Sequence, residues 1–134
     1  MTNVIDIEGI GDVFAAKLRE AGVVTVEGLL KAGATRQGRK ALAEKADLRE
    51  NQILEWTNRA DLFRIKGVGE EYSDLLEVAG VDTVPELAQR NPDALHAKIV
   101  EVNAEKKVVR QVPSQAQVAN WIKQAKEMPR VVEY

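Results

Sequence analysis

The sequence has no cysteine, a single histidine and few aromatic side chains, which limits the chemistry that it can carry. Without cysteine the chain forms no disulfide and offers neither a thiolate nucleophile nor a thiolate ligand for zinc. No cluster of His, Asp or Glu at metal-ligand spacing surrounds the histidine, His96, so we interpret it as a partly exposed helix residue. We therefore expect a protein that is not an enzyme and that holds no metal and no cofactor.

The chain also lacks a long hydrophobic run and a strong excess of either charge. No stretch approaches the roughly 20 apolar residues that a membrane-spanning helix needs. The first residues, Met1–Asp6, have neither the basic segment nor the apolar segment of a signal peptide. We therefore expect a cytoplasmic protein that does not contact membranes. The net charge of −2 counts against a dedicated nucleic-acid binder, because such domains are usually basic.

The clearest pattern in the sequence is a motif that occurs twice. Ile7-Glu8-Gly9-Ile10-Gly11 recurs as Ile65-Lys66-Gly67-Val68-Gly69, at a constant offset of 58 residues. At the same offset, Ala21-Gly22-Val23 recurs as Ala79-Gly80-Val81. An apolar residue, a Gly-apolar-Gly turn and a helix closed by glycine form the pattern of a helix-hairpin-helix unit.

Apolar residues recur at helical spacing along nearly the whole chain, which predicts an all-α protein. Short strand candidates occur only at residues 4–7 and 63–65. Helix starts are indicated by capping residues, including a capping-box pattern at Asp47 that would open a helix reaching about Ala60. The predicted helices of the first half cover about residues 11–21, 25–31, 35–46 and 47–60. In the second half, one helix ends near residue 79, another begins at 83, and two more cover about residues 91–102 and 113–126.

The duplication predicts one domain over residues 1–134, with repeat one at about 5–62, repeat two at about 63–127 and a loose tail at 128–134. The tail could also be an extended piece lying on a neighbouring element. Trp56 and Trp121 are 65 residues apart, so the second half carries an insertion of about seven residues near 102–112. We expect the two halves to share a core built on eight residues: Ile10, Phe14, Leu18, Trp56, Val68, Tyr72, Leu76 and Trp121.

The first motif has no helix before it of sufficient length, whereas the second follows the helix that contains Trp56. One hypothesis is therefore that the last helix packs beside the first motif, with Trp121 playing there the part that Trp56 plays for the second. Either tryptophan could stack on nucleic-acid bases. Their apolar neighbours at helical spacing favour anchoring in the core instead.

Six segments of the sequence, which include both motifs, resemble an uncharacterised family of bacterial and archaeal proteins built from tandem helix-hairpin-helix units. The resemblance extends over almost the whole chain. It implies two helix-hairpin-helix (SAM-like) repeats fused into one pseudo-symmetric domain, and it brings no established activity. The segments that carry it are Ile7–Gly11, Thr25–Leu30, Thr35–Arg39, Trp56–Leu62, Arg64–Gly69 and Trp121-Ile122.

In helix-hairpin-helix proteins generally, the glycines let the backbone approach a nucleic-acid phosphate, and the amides with the helix N-terminus attract it. This resemblance implies weak, sequence-independent binding of DNA or RNA. The expected contact residues are Gly9, Ile10, Gly11, Lys66, Gly67, Val68 and Gly69. The alternative is that the glycines only make tight turns and that the chain is a protein-interaction or scaffold module.

The charges around the second motif oppose phosphate binding. Asp12 follows the first motif and Glu70-Glu71 follow the second, and carboxylates repel phosphate at close range. Between residues 67 and 97 seven acids face one base, Arg90. Basic residues collect elsewhere, and each group could face phosphates or be a solvated helix face: Arg36, Arg39, Lys40, Lys45 and Arg49 in one, and Lys98, Lys106, Lys107, Arg110, Lys123, Lys126 and Arg130 in the other.

Overall fold

The computed structural model describes residues 3–7 and 9–133. In that part of the chain the only extended pairing is an isolated antiparallel bridge between Asn3 and Thr25, so the all-α prediction is confirmed. A 3-10 helix at Val4–Asp6 comes first. The α-helices follow as α1 (Asp12–Glu20), α2 (Val26–Gly33), α3 (Arg36–Ala46), α4 (Glu50–Leu62), α5 (Glu70–Val78), α6 (Val84–Gln89), α7 (Pro92–Lys106) and α8 (Gln115–Glu127).

Five of these helices begin where a capping side chain predicts a start. In each case the side-chain oxygen accepts a hydrogen bond from the amide three residues further on, which satisfies a backbone donor without an intrahelical partner. At α8 the capping box is complete, because the Gln117 side chain also accepts from the amide of Ser114 at 2.8 Å. The capping residues are Thr25, Thr35, Thr83, Asn91 and Ser114.

The capping box predicted at Asp47 is wrong. Asp47 instead ends α3 in the left-handed conformation, with φ of 57° and its amide bonded to the carbonyl of Ala43. Aspartate tolerates that conformation better than most residues, so a residue typical of helix starts also suits this helix end. Helix α4 starts at Glu50, and the Gln52 side chain accepts from the amide of Arg49 at 3.2 Å.

Neither short strand candidate forms a strand, which agrees with the all-α prediction. Residues 4–6 form the 3-10 helix, and residues 63–65 lead into a turn closed by a bond from the Ile65 amide to the Leu62 carbonyl. Both segments are short apolar runs, which periodicity does not separate from buried turns.

The chain forms two compact units. Unit 1 comprises Met1–Asp61 and Arg130–Tyr134, and unit 2 comprises Leu62–Pro129. Unit 2 is built on a cluster of buried side chains from α5, α6, α7 and α8, including Leu75, Leu87, Ile99 and Trp121. Of the eight predicted core residues, six are buried, and Phe14 and Tyr72 are half-buried.

The last described residues of the tail contact unit 1. Val132 is buried in unit 1, with 1% of its surface exposed, and the Glu133 amide donates to the Ala34 carbonyl at 2.7 Å. This contact agrees with the alternative that the sequence left open, an extended piece lying on a neighbouring element, and the same carbonyl also accepts from the Arg39 side chain at 3.4 Å. Tyr134 lies outside the described residues.

Candidate functional site

The first motif forms a tight turn that leads into α1. The Ile10 amide donates to the Ile7 carbonyl at 3.0 Å, which places Gly9 at the third position of a four-residue turn. Gly9 has φ of +92°, and a turn with positive φ at this position favours glycine. Glu8 lies outside the described residues. We call residues 7–10 the first glycine turn.

The second motif forms the same kind of turn in unit 2. The Val68 amide donates to the Ile65 carbonyl at 3.1 Å, and Gly67, again at the third position, has φ of +96°. We call residues 65–68 the second glycine turn. Gly9 and Gly67 are therefore glycines because of the backbone conformation of their own turns.

The second glycine of each motif has no such reason. Gly11 (φ −86°) and Gly69 (φ −105°) have extended backbone that any residue adopts, and they are the N-caps of α1 and α5. A Cβ atom built on either would meet no atom within 4 Å. Neither strain nor internal packing therefore requires glycine here. What glycine provides at both positions is a bare backbone open to the surroundings.

The glycine caps of α1 and α5 offer no side-chain hydrogen bond to the first-turn amides, unlike the five helices capped by Thr, Asn or Ser. The first intrahelical bonds come from Ala15 to the Gly11 carbonyl and from Ser73 to the Gly69 carbonyl, both at 2.9 Å. The amides before Ala15 and Ser73 are the donors that a helix leaves over at its start. Such donors, with the positive end of the helix dipole, attract an anion.

Each glycine turn rests on the tryptophan of its own unit, which overturns the hypothesis that Trp121 serves the first motif. The Trp56 ring lies 5.2 Å from the Phe14 ring, and its Nε1 lies 3.6 Å from the position of a Cβ on Gly9. In unit 2 the Trp121 ring lies 5.3 Å from the Tyr72 ring. The helix that supports each turn therefore follows it in the chain, so the first motif needs no long helix before it.

A residue that the sequence did not single out holds the second glycine turn. The Gln124 side chain of α8 accepts from the Lys66 amide at 2.8 Å and donates to the Lys66 carbonyl at 3.1 Å. A single amide group thus pairs with both backbone polar groups of Lys66. No local signal predicts this contact, because the two residues are 58 positions apart and glutamine is common on exposed helix faces.

Replacing Gln124 with alanine is expected to cost about 1 kcal/mol of folding stability, since it removes from a partly exposed position the two hydrogen bonds to Lys66 and one to the Asn120 side chain. Hydrogen exchange at the Lys66 amide should become faster, while exchange at the Val81 amide, which is bonded within the backbone, should not change. Gln124→Glu is a second variant that keeps the acceptor for the Lys66 amide but puts a carboxylate oxygen where the side-chain amide donates to the Lys66 carbonyl and to Asn120. An unchanged Lys66 exchange rate in Gln124→Ala would contradict the assigned contact.

Acidic side chains accompany both open helix starts. Asp12, Glu70 and Glu71 are exposed in the first turns of α1 and α5, where carboxylates favour the helix dipole. The starts of the two helices differ in charge, because Val13 of α1, which is 69% exposed, corresponds in the repeat to Glu71 of α5. The start of α1 is therefore less acidic than the start of α5.

The first predicted basic group is not a continuous surface patch. Arg39 is buried, with 5% of its surface exposed, and donates to the carbonyls of Gly33 and Ala34 at the end of α2. A cation suits the negative end of a helix, which explains the burial. Lys40, Lys45 and Arg49 remain exposed. All seven residues of the second basic group are exposed. Arg130 belongs to unit 1, and the other six belong to unit 2.

The other polar candidates have structural positions. His96 is half-buried, and its Nε2 lies 3.1 Å from the Pro113 carbonyl, to which a protonated Nε2 donates. Within residues 3–7 and 9–133, no group of three or more His, Asp or Glu is placed to hold a metal ion. In the same residues no helix combines the length and the hydrophobicity needed to cross a membrane.

The part of the chain that the structure describes is all-α. It contains two glycine turns, and each turn leads into a helix whose glycine N-cap makes no side-chain hydrogen bond. The chain belongs to the family described as "Domain of unknown function (DUF4332)", whose family model matches residues 8–128. The family match thus begins within the first glycine turn, includes the second and extends through α8. Comparisons with the curated proteins and with the solved structures find no match.

Proposed function

We propose that each unit is a helix-hairpin-helix repeat, and that the two repeats form one pseudo-symmetric, non-catalytic module that binds the backbone of DNA or RNA. The absence of cysteine fits a protein of the reducing cytoplasm. The contacts come from the backbone of Gly9, Ile10 and Gly11 and of Gly67, Val68 and Gly69, with Lys66 beside the second turn. Such contacts hold phosphates without reading sequence.

The observation that carries the proposal is the open backbone at Gly11 and Gly69. Both glycines have ordinary φ values, nothing within 4 Å of a built Cβ, and no capping side chain on the helix that follows. A ligand that approaches the backbone closely gives a reason for glycine where strain and packing give none. Phosphate is the ligand that uncapped helix amides favour.

The acidic side chains set the expected strength of binding. Asp12, Glu70 and Glu71 lie one or two residues from the proposed contacts and repel phosphate, so we expect weak affinity that disappears at high salt.

Replacing Gly11 and Gly69 with serine tests the proposal, because stability and binding should change in opposite directions. A serine hydroxyl at these N-caps would accept from the first-turn amides and stabilise the helices by a few tenths of a kcal/mol each. The same hydroxyl competes with phosphate for those amides and adds bulk at the open backbone. We expect binding of labelled double- and single-stranded DNA and RNA, measured by fluorescence anisotropy at low salt, to weaken about tenfold.

Gly28→Ser is a control that places a serine in the first turn of α2, where the Thr25 side chain already caps the helix; its Cβ would lie 3.2 Å from Thr25 Oγ1, so its stability is measured as well. Because the Gly28 amide already donates to Thr25 at 3.0 Å, its backbone offers nothing to a ligand. Equal binding by the wild type and the Gly11→Ser/Gly69→Ser variant would contradict phosphate contact at the helix starts. No binding by the wild type at low salt would overturn the proposed function itself.

A protein-interaction module with purely structural turns is the second candidate, and one observation favours it. Unit 1 exposes three large apolar side chains near its turn or its bridge to the N-terminal segment: Ile5, Val13 and Val24 are 43%, 69% and 48% exposed. A protein partner would cover them. In that case Val13→Ser should abolish capture of the partner while Gly11→Ser has no effect.

A further inference from the structure

We propose that the cleft lined by Lys107 and Arg110 in unit 2 is a second phosphate-binding site, which compensates for the acidic start of α5. This inference rests on the proposed nucleic-acid function and names which residues of unit 2 contact the backbone. The cleft has a volume of about 600 Å³ and is open to solvent. Its lining also includes Glu71, the acidic residue of the first turn of α5, together with Asn103 and Val109.

Lys107 occupies the left-handed helix end that Asp47 occupies in unit 1, whereas Arg110 lies in a longer connection for which unit 1 has no counterpart. In unit 1 only residues 47–49 separate α3 from α4, whereas residues 107–114 separate α7 from α8. This is the region in which the sequence predicts an insertion of about seven residues. The extra residues do not all belong to the core, because Lys107, Arg110 and Gln111 are exposed. They bring positive charge to a unit whose own turn region is strongly acidic.

The segment is held in a fixed conformation on the protein side. The Asn103 side chain accepts from the Val109 amide at 2.9 Å and donates to the Val109 carbonyl at 3.1 Å. Val109 is buried, and Lys107 adopts the left-handed conformation at the end of α7, with its amide bonded to the Asn103 carbonyl at 2.8 Å. These contacts place Lys107 and Arg110 on either side of an anchored residue and lower the entropic cost of ordering them around an anion.

The same segment is joined to the helix that follows the second glycine turn. The Tyr72 hydroxyl, in the first turn of α5, donates to the Gln111 carbonyl at 3.2 Å. Glu71, one residue before Tyr72, lines the cleft. A nucleic-acid strand that reaches the open backbone of Gly69 therefore has its neighbouring phosphates next to Lys107 and Arg110.

The charges in the cleft favour an anion. Two cations and one carboxylate line it, and among the described residues neither Lys107 nor Arg110 takes part in an ion pair. Lysine and arginine on exposed, ordered backbone are the usual phosphate contacts of nucleic-acid-binding proteins. The amides of α5 attract phosphate but its carboxylates repel it, so these side chains supply the cationic contact that the second turn itself offers only through Lys66.

The test compares two variants that remove the same charge from different places. Lys107→Gln/Arg110→Gln removes both cations from the cleft, and Lys31→Gln/Lys45→Gln removes two exposed cations of unit 1, in α2 and α3, that line no cleft among the described residues. DNA binding is measured by anisotropy over a range of salt concentrations. We expect the cleft variant to lose at least tenfold in affinity and its salt slope to fall by about 2, since each lost phosphate contact removes about 0.9. The unit 1 variant should change affinity less than threefold.

A titration with inorganic phosphate, followed by backbone amide NMR shifts, separates this inference from the proposed function. Phosphate should shift the amides of residues 107–110 in the wild type and not in the cleft variant. If DNA binds but both double variants lose affinity equally, the cleft inference is overturned and the proposed function stands. If no nucleic acid binds but the phosphate shifts appear, the function is overturned and the anion cleft stands. If neither occurs, both are overturned.

Discussion

Replacing Trp121 with alanine is expected to lower the free energy of unfolding by about 3–5 kcal/mol, as removal of a buried tryptophan ring usually does. The side chain is 2% exposed within the unit 2 cluster. Its ring lies 5.3 Å from the Tyr72 ring, and its Nε1 lies against the backbone of Gly67. The substitution therefore creates a cavity directly beneath the second glycine turn, and the loss of packing adds to the loss of apolar burial. Denaturant unfolding followed by circular dichroism measures the change.

Two further variants make this prediction specific. Trp121→Phe keeps an aromatic ring and should recover more than half of the loss, which also keeps the test valid if the alanine variant does not fold. Trp56→Ala should produce a comparable loss, because Trp56 is buried against Phe14. In NMR spectra, Trp121→Phe should shift the amides of Gly67 and Tyr72 most, and Trp56→Phe those of Gly9 and Phe14. The reverse assignment of shifts would restore the hypothesis that the structure overturns.

Gly67→Ala is expected to destabilise the protein by at least about 2 kcal/mol. An L-residue at φ of +96° is strained by about 1–3 kcal/mol. In addition, the new Cβ would lie 2.9 Å from Nε1 of Trp121, closer than such atoms pack, so the buried ring would have to move. The free energy of unfolding, measured by denaturant titration, reports the sum of both terms.

Gly9→Ala and Gly69→Ala divide that sum. At Gly9 the backbone strain is the same, with φ of +92°, but a Cβ would lie 3.6 Å from Trp56, which is ordinary contact. Gly9→Ala should therefore cost less than Gly67→Ala by the cost of moving the ring. Gly69→Ala has neither strain nor a steric neighbour and should cost less than about 1 kcal/mol, the difference between glycine and alanine as an N-cap. Equal losses at Gly67 and Gly69 would contradict the separate roles of the two glycines in the motif.

These roles connect stability to the proposed function. The first glycine of each motif makes the turn, and the second leaves a helix start open, so their substitutions should affect different measurements. A variant at Gly9 or Gly67 that loses binding could simply have lost its turn. A variant at Gly11 or Gly69 that stays folded and loses binding points to a ligand at the helix start. The serine variants are informative for this reason.

Local chemistry allowed most of the secondary structure to be predicted. Helix starts at Thr25, Thr83 and Ser114 follow from side chains that bond to an amide three residues away, an interaction confined to one turn of chain. The helix ends at Gly22 and Gly80 are equally local: the amides of Val23 and Val81 each bond, at 2.8 Å, to the carbonyl five residues earlier. Apolar spacing then identified the buried faces.

Contacts between distant residues could not be predicted in the same way. The sequence pattern is compatible with either tryptophan beneath either turn, because both are flanked by similar apolar residues. Arg39 looked like part of a basic surface, although its guanidinium is buried against the end of α2. No local pattern indicated a role for Gln124, because its side chain bonds to the backbone of Lys66, which is 58 residues away in the sequence.

The sequence by itself determined the all-α class, the two glycine turns and the positions of the helix caps, because each depends on interactions within about one turn of chain. Only the tertiary structure decided that Trp56 and Trp121 each support the turn of their own unit. It also decided that Gly11 and Gly69 are open while Gly9 and Gly67 are constrained, and that Lys107 and Arg110 line a cleft with Glu71. These features depend on backbone angles and on packing between residues far apart in the chain, which neither composition nor periodicity specifies.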